Sequence, residues 1–111
     1  MMREVIAFYG KDMQLNICIE ELSELIKELC KVKRGIGNLD NIAEEMADVK
    51  IIMEQLDIIF DNSDDVNKWY IKKLNRLRTR LRDDQKRLEA DNENGGVYNA
   101  GLGCFTTCKI C

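Results

Sequence analysis

Apolar residues recur early in the chain at Leu15, Cys18, Ile19, Leu22, Leu25, Ile26, Leu29 and Cys30. Steps of three and four trace one face of an α-helix, so the spacing predicts a helix from about Asp12 to Val32, with a preceding turn from Arg3. Lys31, Lys33 and Arg34 suit its C-terminal end, where the peptide dipoles leave partial negative charge, and Gly35 and Gly37 break it. A second stripe, Ile42, Met46, Val49, Met53, Leu56 and Phe60, predicts a helix that starts near Asn41. Asn41 with Glu44 three residues on resembles a capping box, with Asn in place of Ser or Thr. Ile51, Ile52, Ile58 and Ile59 fall on other faces, and a helix apolar on several sides is buried on several sides. In so short a chain that implies a subunit interface. The run Asn62-Ser63-Asp64-Asp65 ends this helix and caps a third, about Asp64 to Ala90, with Val66, Tyr70, Leu74, Leu77, Leu81 and Leu88 on its inner face. The expected fold class is all-α, an antiparallel helical bundle completed by oligomerisation, with a helical domain over 1–90 and a loose Gly/Cys-rich tail over 91–111.

Composition agrees with this pattern. The chain of 111 residues has no proline, 33% charged residues and 6% aromatics, a balance that suits amphipathic helices and fits poorly with a β-sandwich or barrel. A monomer of this size buries only about 65% of its unfolded surface, so its core is expected to be thin. The net charge of −3 provides no global basic field, and nucleic acid is disfavoured as a partner. No segment approaches the roughly 18 apolar residues of a membrane span. Val5 to Gly10 is too brief for the apolar core of a signal peptide, so the expectation is a soluble, cytoplasmic protein without membrane association.

Absence of histidine removes His-based catalysis and His-ligated zinc. Of the five cysteines, Cys18 and Cys30 sit in apolar helical patterns and read as buried reduced thiols. Cys104, Cys108 and Cys111 cluster in the tail. Their spacing superficially matches a radical-SAM cluster motif, but the chain has no room for that barrel, and a zinc site lacks a local fourth ligand.

The chemistry-bearing pattern is acidic. The first helix holds Glu20-Glu21-Leu22-Ser23-Glu24 and the second holds Glu44-Glu45-Met46-Ala47-Asp48. Glu21 with Glu24, and Glu45 with Asp48, are pairs at i and i+3, which lie on one helix face about 5–6 Å apart at Cβ. Gln14, Glu21, Glu24 and Glu28 line the border of the first apolar stripe, and Glu45 and Asp48 border the second. If the helices pack antiparallel, the acidic borders meet at the edge of the core. Four like charges gathered there repel, and a divalent cation resolves the conflict. Oxygen ligands select Mg²⁺, Mn²⁺ or Ca²⁺ over zinc. Either pair alone is commonly ordinary solvated surface.

Glu-x-x-Glu, a gap of twenty residues, then Glu-x-x-Asp resembles the signature of the all-α NTP pyrophosphatases, the superfamily of MazG-like proteins, dimeric dUTPases and phosphoribosyl-ATP pyrophosphatase. The wider strings around Gln14, Ile19 to Leu25 and Glu44 to Val49 are similar too, and the likeness covers roughly 5–82. It is nearest to the short, single-domain MazG-like proteins of bacteria and phages.

The resemblance implies the all-α pyrophosphatase bundle, as a homodimer or homotetramer. It implies Mg²⁺, or Mn²⁺, held by Glu21, Glu24, Glu45 and Asp48. It implies hydrolysis of a (deoxy)nucleoside triphosphate at the α–β anhydride to a monophosphate and pyrophosphate. Glu20 or Glu24 is the candidate proton acceptor. Gln14, Lys73, Arg76 and Arg80 are the candidate substrate-binding residues, the last three from a third helix with nine basic residues between Lys68 and Arg87. Phe8, Tyr9 and Trp69 are the aromatics available to stack on a base, and Trp69 also reads as a core or interface anchor. Two alternatives stay open: a non-catalytic helical oligomer or adaptor, and phosphoribosyl-ATP pyrophosphatase-like activity.

Overall fold

The computed structural model describes residues 1–93. Among them the regular structure is entirely helical: α1 Met2–Tyr9, α2 Lys11–Lys33, α3 Leu39–Phe60 and α4 Ser63–Glu93. The expected tail with Cys104, Cys108 and Cys111 lies outside the described residues. The chain divides into two compact units, Met1–Ser63 with α1 to α3, and a second from Asp64 that contains α4.

The first unit begins with a full helix where the sequence implied a turn. Gly10 separates α1 from α2 with φ +89, a left-handed backbone that side-chain-bearing residues rarely adopt. Its N–H donates to the Ile6 carbonyl at 2.9 Å, and its carbonyl accepts from Gln14 N–H at 3.1 Å. Gly10 thus closes α1 through its N–H and opens α2 through its carbonyl. Between α2 and α3, Gly37 lies so close to Val32 that a Cβ there would collide with it. α3 starts earlier than expected. Asn38 is its cap, its side-chain oxygen accepting from Asp40 N–H at 2.8 Å and Asn41 N–H at 3.4 Å, so Asn41 belongs to the first turn.

α2 and α3 form an antiparallel hairpin. Gln14 Nε2, near the start of α2, donates to Gln55 Oε1, near the end of α3, at 2.9 Å. Seven residues further along α2, Glu21 stands beside Asp48, seven residues back along α3. Gln55 Nε2 also reaches Met2 Sδ at 3.8 Å, which ties α1 across the open end of the hairpin.

The face each helix turns inward differs from the one the apolar periodicity implied. The buried residues are Ile6, Cys18 and Ile52, with the polar Gln14, Glu28 and Gln55. On α2, Ile19 is 67% and Ile26 is 62% exposed, and Leu22 and Leu29 are exposed as well. On α3 the expected stripe residues Met46, Met53 and Phe60 are exposed, while Ile52, from the supposed secondary face, is 3% exposed. Cys18 is buried as expected, but Cys30 is exposed. Periodicity finds the apolar side of a helix and does not say which neighbour covers it. Here the hairpin buries polar residues in its seam, half-buries Leu15, Leu25, Ile42, Val49 and Leu56, and leaves the rest of its apolar stripes outward. α4 has no buried residue, and its expected inner face at Val66, Tyr70, Leu74, Leu77 and Leu81 is exposed.

Ile52 fills the small apolar layer of the seam, so Ile52→Ala is expected to lower unfolding free energy by about 2–5 kcal/mol. Loss of the cap in Asn38→Ala should cost about 1 kcal/mol. Denaturant unfolding followed by circular dichroism measures both. Equal, small effects would show that the seam contributes little.

Candidate metal centre

The antiparallel register carries two acidic turns into one place. Glu21 on α2 and Glu45 and Asp48 on α3 each offer a carboxylate oxygen, and the three oxygens lie within 4.8 Å of one another. All three residues are half-buried, so they are withdrawn from water without being sealed off. Glu45 Oε2 is buried and has no hydrogen-bond partner.

Crowding raises the proton affinity of the group. Glu21 is pushed above the ordinary carboxylate value of 4.5 first by desolvation, then by the charges of Asp48, Glu45 and Glu20, and finally by a hydrogen bond that a protonated Glu21 donates to Asp48. Glu45 is likewise raised by desolvation, then by Asp48, Glu24, Glu44 and Glu28. Neutralising such a set takes either protons or a cation. The donors are all hard oxygens, drawn from facing helices, with one buried oxygen lacking a partner. That donor chemistry fits Mg²⁺ or Mn²⁺.

Other residues expected at the site are placed differently. Glu24 is half-buried and contributes to the field at Glu45, but it stands outside the close trio. Glu20 is exposed, and its carbonyl accepts from Ser23 Oγ at 2.6 Å. Gln14 is 2% exposed, in the seam two turns from Glu21, with Nε2 committed to Gln55 and Oε1 buried without a partner. Lys73, Arg76 and Arg80 belong to α4, in the second unit. Along that helix Arg76 and Arg80 line a shallow groove with Asn75, Thr79, Asp83, Asp84 and Arg87, and Arg87 pairs with Asp84 at 2.8 Å. Of the aromatics, Phe8 and Tyr9 are exposed and meet edge to face at 4.9 Å, and Lys72 Nζ lies 5.0 Å from the centre of the exposed Trp69 ring.

No family model, curated protein or solved structure matches the chain. The likeness to the all-α pyrophosphatases therefore rests on the Glu-x-x-Glu and Glu-x-x-Asp residues themselves.

Two residues of the seam were not among the expected site residues. Gln55 had no signal beyond its place seven residues after Asp48. Glu28 shares the seven-residue spacing of Gln14 and Glu21, which marks one face of α2.

A carboxylate whose folded pKa is raised binds more protons folded than unfolded between the two values, so stability falls as pH rises through that window. Without divalent cations the protein is therefore expected to gain thermal stability on acidification from neutral pH toward the ordinary value of 4.5, by way of Glu21 and Glu45. Glu45→Gln should flatten this profile and raise the neutral-pH melting temperature in EDTA. Melting curves across pH test it, and a profile unchanged by the substitution would show that the trio carries no strain.

Proposed function

We propose that the protein is a Mg²⁺-dependent nucleoside-triphosphate pyrophosphohydrolase of the all-α, MazG-like type. The observation that carries this reading is the convergence of Glu21, Glu45 and Asp48 from two facing helices onto one position. Ordinary surface acids at i,i+3 have no reason to face each other across a helix seam.

Glu21, Glu45 and Asp48 would hold the metal, with Glu24 beside them. A Mg²⁺ bound there supplies an acidified water at neutral pH and offsets the charge of a triphosphate. Glu24 is the favoured proton acceptor, because it is half-buried one turn from Glu21 on the same face of α2, whereas Glu20 is exposed. Lys73, Arg76 and Arg80 are the candidate phosphate ligands, since guanidinium and ammonium donors suit phosphate oxygens. The outward apolar residues of α2 and α3 support assembly as a homodimer or homotetramer, where a second subunit would cover them. Those same faces favour the second reading, a helical adaptor without turnover. Phosphoribosyl-ATP remains an alternative substrate within the same chemistry.

Pyrophosphate release from canonical and modified NTPs and dNTPs, and from phosphoribosyl-ATP, with Mg²⁺ or EDTA, tests the reading. Metal-dependent release is expected, and Glu45→Gln should lower it by about two orders of magnitude or more while helical content holds. Full activity in that variant would remove the site assignment. Silence across the panel with metal bound would favour the adaptor.

A further inference from the structure

α4 spans 31 residues and has no buried residue. Tyr70, Leu74, Leu77 and Leu81 follow one another along it at steps of four, three and four, and Leu88 lies seven residues after Leu81. Steps that alternate in this way keep a narrow seam on one side of a helix, the a and d positions of a coiled coil. Tyr70, Leu74, Leu77 and Leu81 are all exposed. Asn67 opens the seam, and Asp84, paired with Arg87 at 2.8 Å, interrupts it before Leu88. From Asn67 to Leu88 the seam runs about 33 Å. Its borders are basic, with Lys73, Arg80 and Arg87 along one edge and Arg78 on the other. Between Val66 and Arg82 the helix carries seven basic residues and no acid.

The charge of these borders selects what can cover the seam. A second copy of α4 fits badly. In a parallel pair Lys73 would face Arg78 of the second copy, and in an antiparallel pair the Lys73–Arg80–Arg87 edge would face itself. A lipid surface suits a broader apolar face, and the acids Asp83, Asp84, Glu89 and Asp91 at the end of α4 oppose an anionic one. Nucleic acid would satisfy the basic edges and leave the leucines in water. A helix with its own apolar row, bordered by Glu or Asp, matches both the row and its edges. We propose that α4 docks an acidic amphipathic helix of another protein, which lays its apolar row on Tyr70, Leu74, Leu77 and Leu81 and its carboxylates against Lys73 and Arg87 on one edge and Arg78 on the other. Asn67 and Asp84, polar positions within the seam, set the register. This docking stands whether or not the acidic trio supports turnover.

The probe is a synthetic three-heptad peptide with Leu at a and d and Glu at e and g, and its control carries Lys at e and g. Each is titrated into the full chain. Trp69 is the single tryptophan of the chain and lies one turn from Lys73, so its emission reports on the seam. The Glu peptide should shift that emission to shorter wavelength, gain helicity by circular dichroism, and bind at least about tenfold tighter than the Lys peptide. Leu74→Ser with Leu77→Ser should weaken it about a hundredfold while the helical content of the chain holds, since neither residue is buried in α4. Lys73 and Arg80 are also candidate phosphate ligands, so Arg78→Glu carries the charge test, weakening the Glu peptide about threefold or more at low salt. Equal binding of the two peptides, or none, would overturn the proposal. So would unchanged affinity in the leucine variant or, if that variant loses helix, in Arg78→Glu. A Trp69 shift with phosphatidylserine vesicles or an oligonucleotide but not with the Glu peptide would overturn it and assign the face to lipid or nucleic acid. Sedimentation that falls to monomer in the leucine variant would show a second copy on the seam and overturn it as well.

Discussion

Carboxylates brought together across a helix seam repel one another and resist losing water, and the α2–α3 hairpin is built around such a set. Glu21, Glu45 and Asp48 crowd within 4.8 Å, with Glu24 and Glu28 close enough to add to the field. Little apolar material opposes this repulsion. Cys18 and Ile52 form a small layer between the acidic turns and the buried Gln14–Gln55 pair, and Ile6 closes the end. A cation that binds the folded chain and not the unfolded one would turn the least favourable part of the seam into a source of stability, through mass action.

The amide pair has a consequence for the site. Gln14 bonded to Gln55 fixes the register of the hairpin, because each lies seven residues from the acidic residue on its own helix. A slip of one turn would set Glu21 against Ile52 and disperse the trio. The register is thus held by a buried hydrogen bond that is costly to break, since a lone amide would be left without a partner.

Turning polar residues into the seam leaves much of each apolar stripe outward. Ile19, Ile26, Met46 and Met53 are all substantially exposed, on the two helices that carry the acids. Apolar surface on this scale is unusual for an isolated soluble chain. The acidic seam and the apolar faces are consequences of one choice of packing face. An assembly that covered those faces would also hold α2 against α3, and with it the geometry of the carboxylates.

The sequence alone determined that the described residues are helical, roughly where the long helices run, and where the two i,i+3 acid pairs lie, because those follow from local periodicity and spacing. It also located the glycine break after α2. It did not show that Gly10 divides off a complete α1, since a positive φ is a backbone property that many glycines never use. It placed Cys30 and stripe residues such as Ile19, Ile26, Met46 and Met53 inside, where the structure leaves them exposed, while Cys18 is buried and Leu15, Leu25, Val49 and Leu56 are half-buried. Only the tertiary structure decided that Gln14, Glu28 and Gln55 are buried, and that Glu21 joins Glu45 and Asp48 while Glu24 stands to one side. A helix can turn any face toward its neighbour. The choice among faces is made by contacts between residues distant in sequence, and these leave no periodic trace in either segment alone.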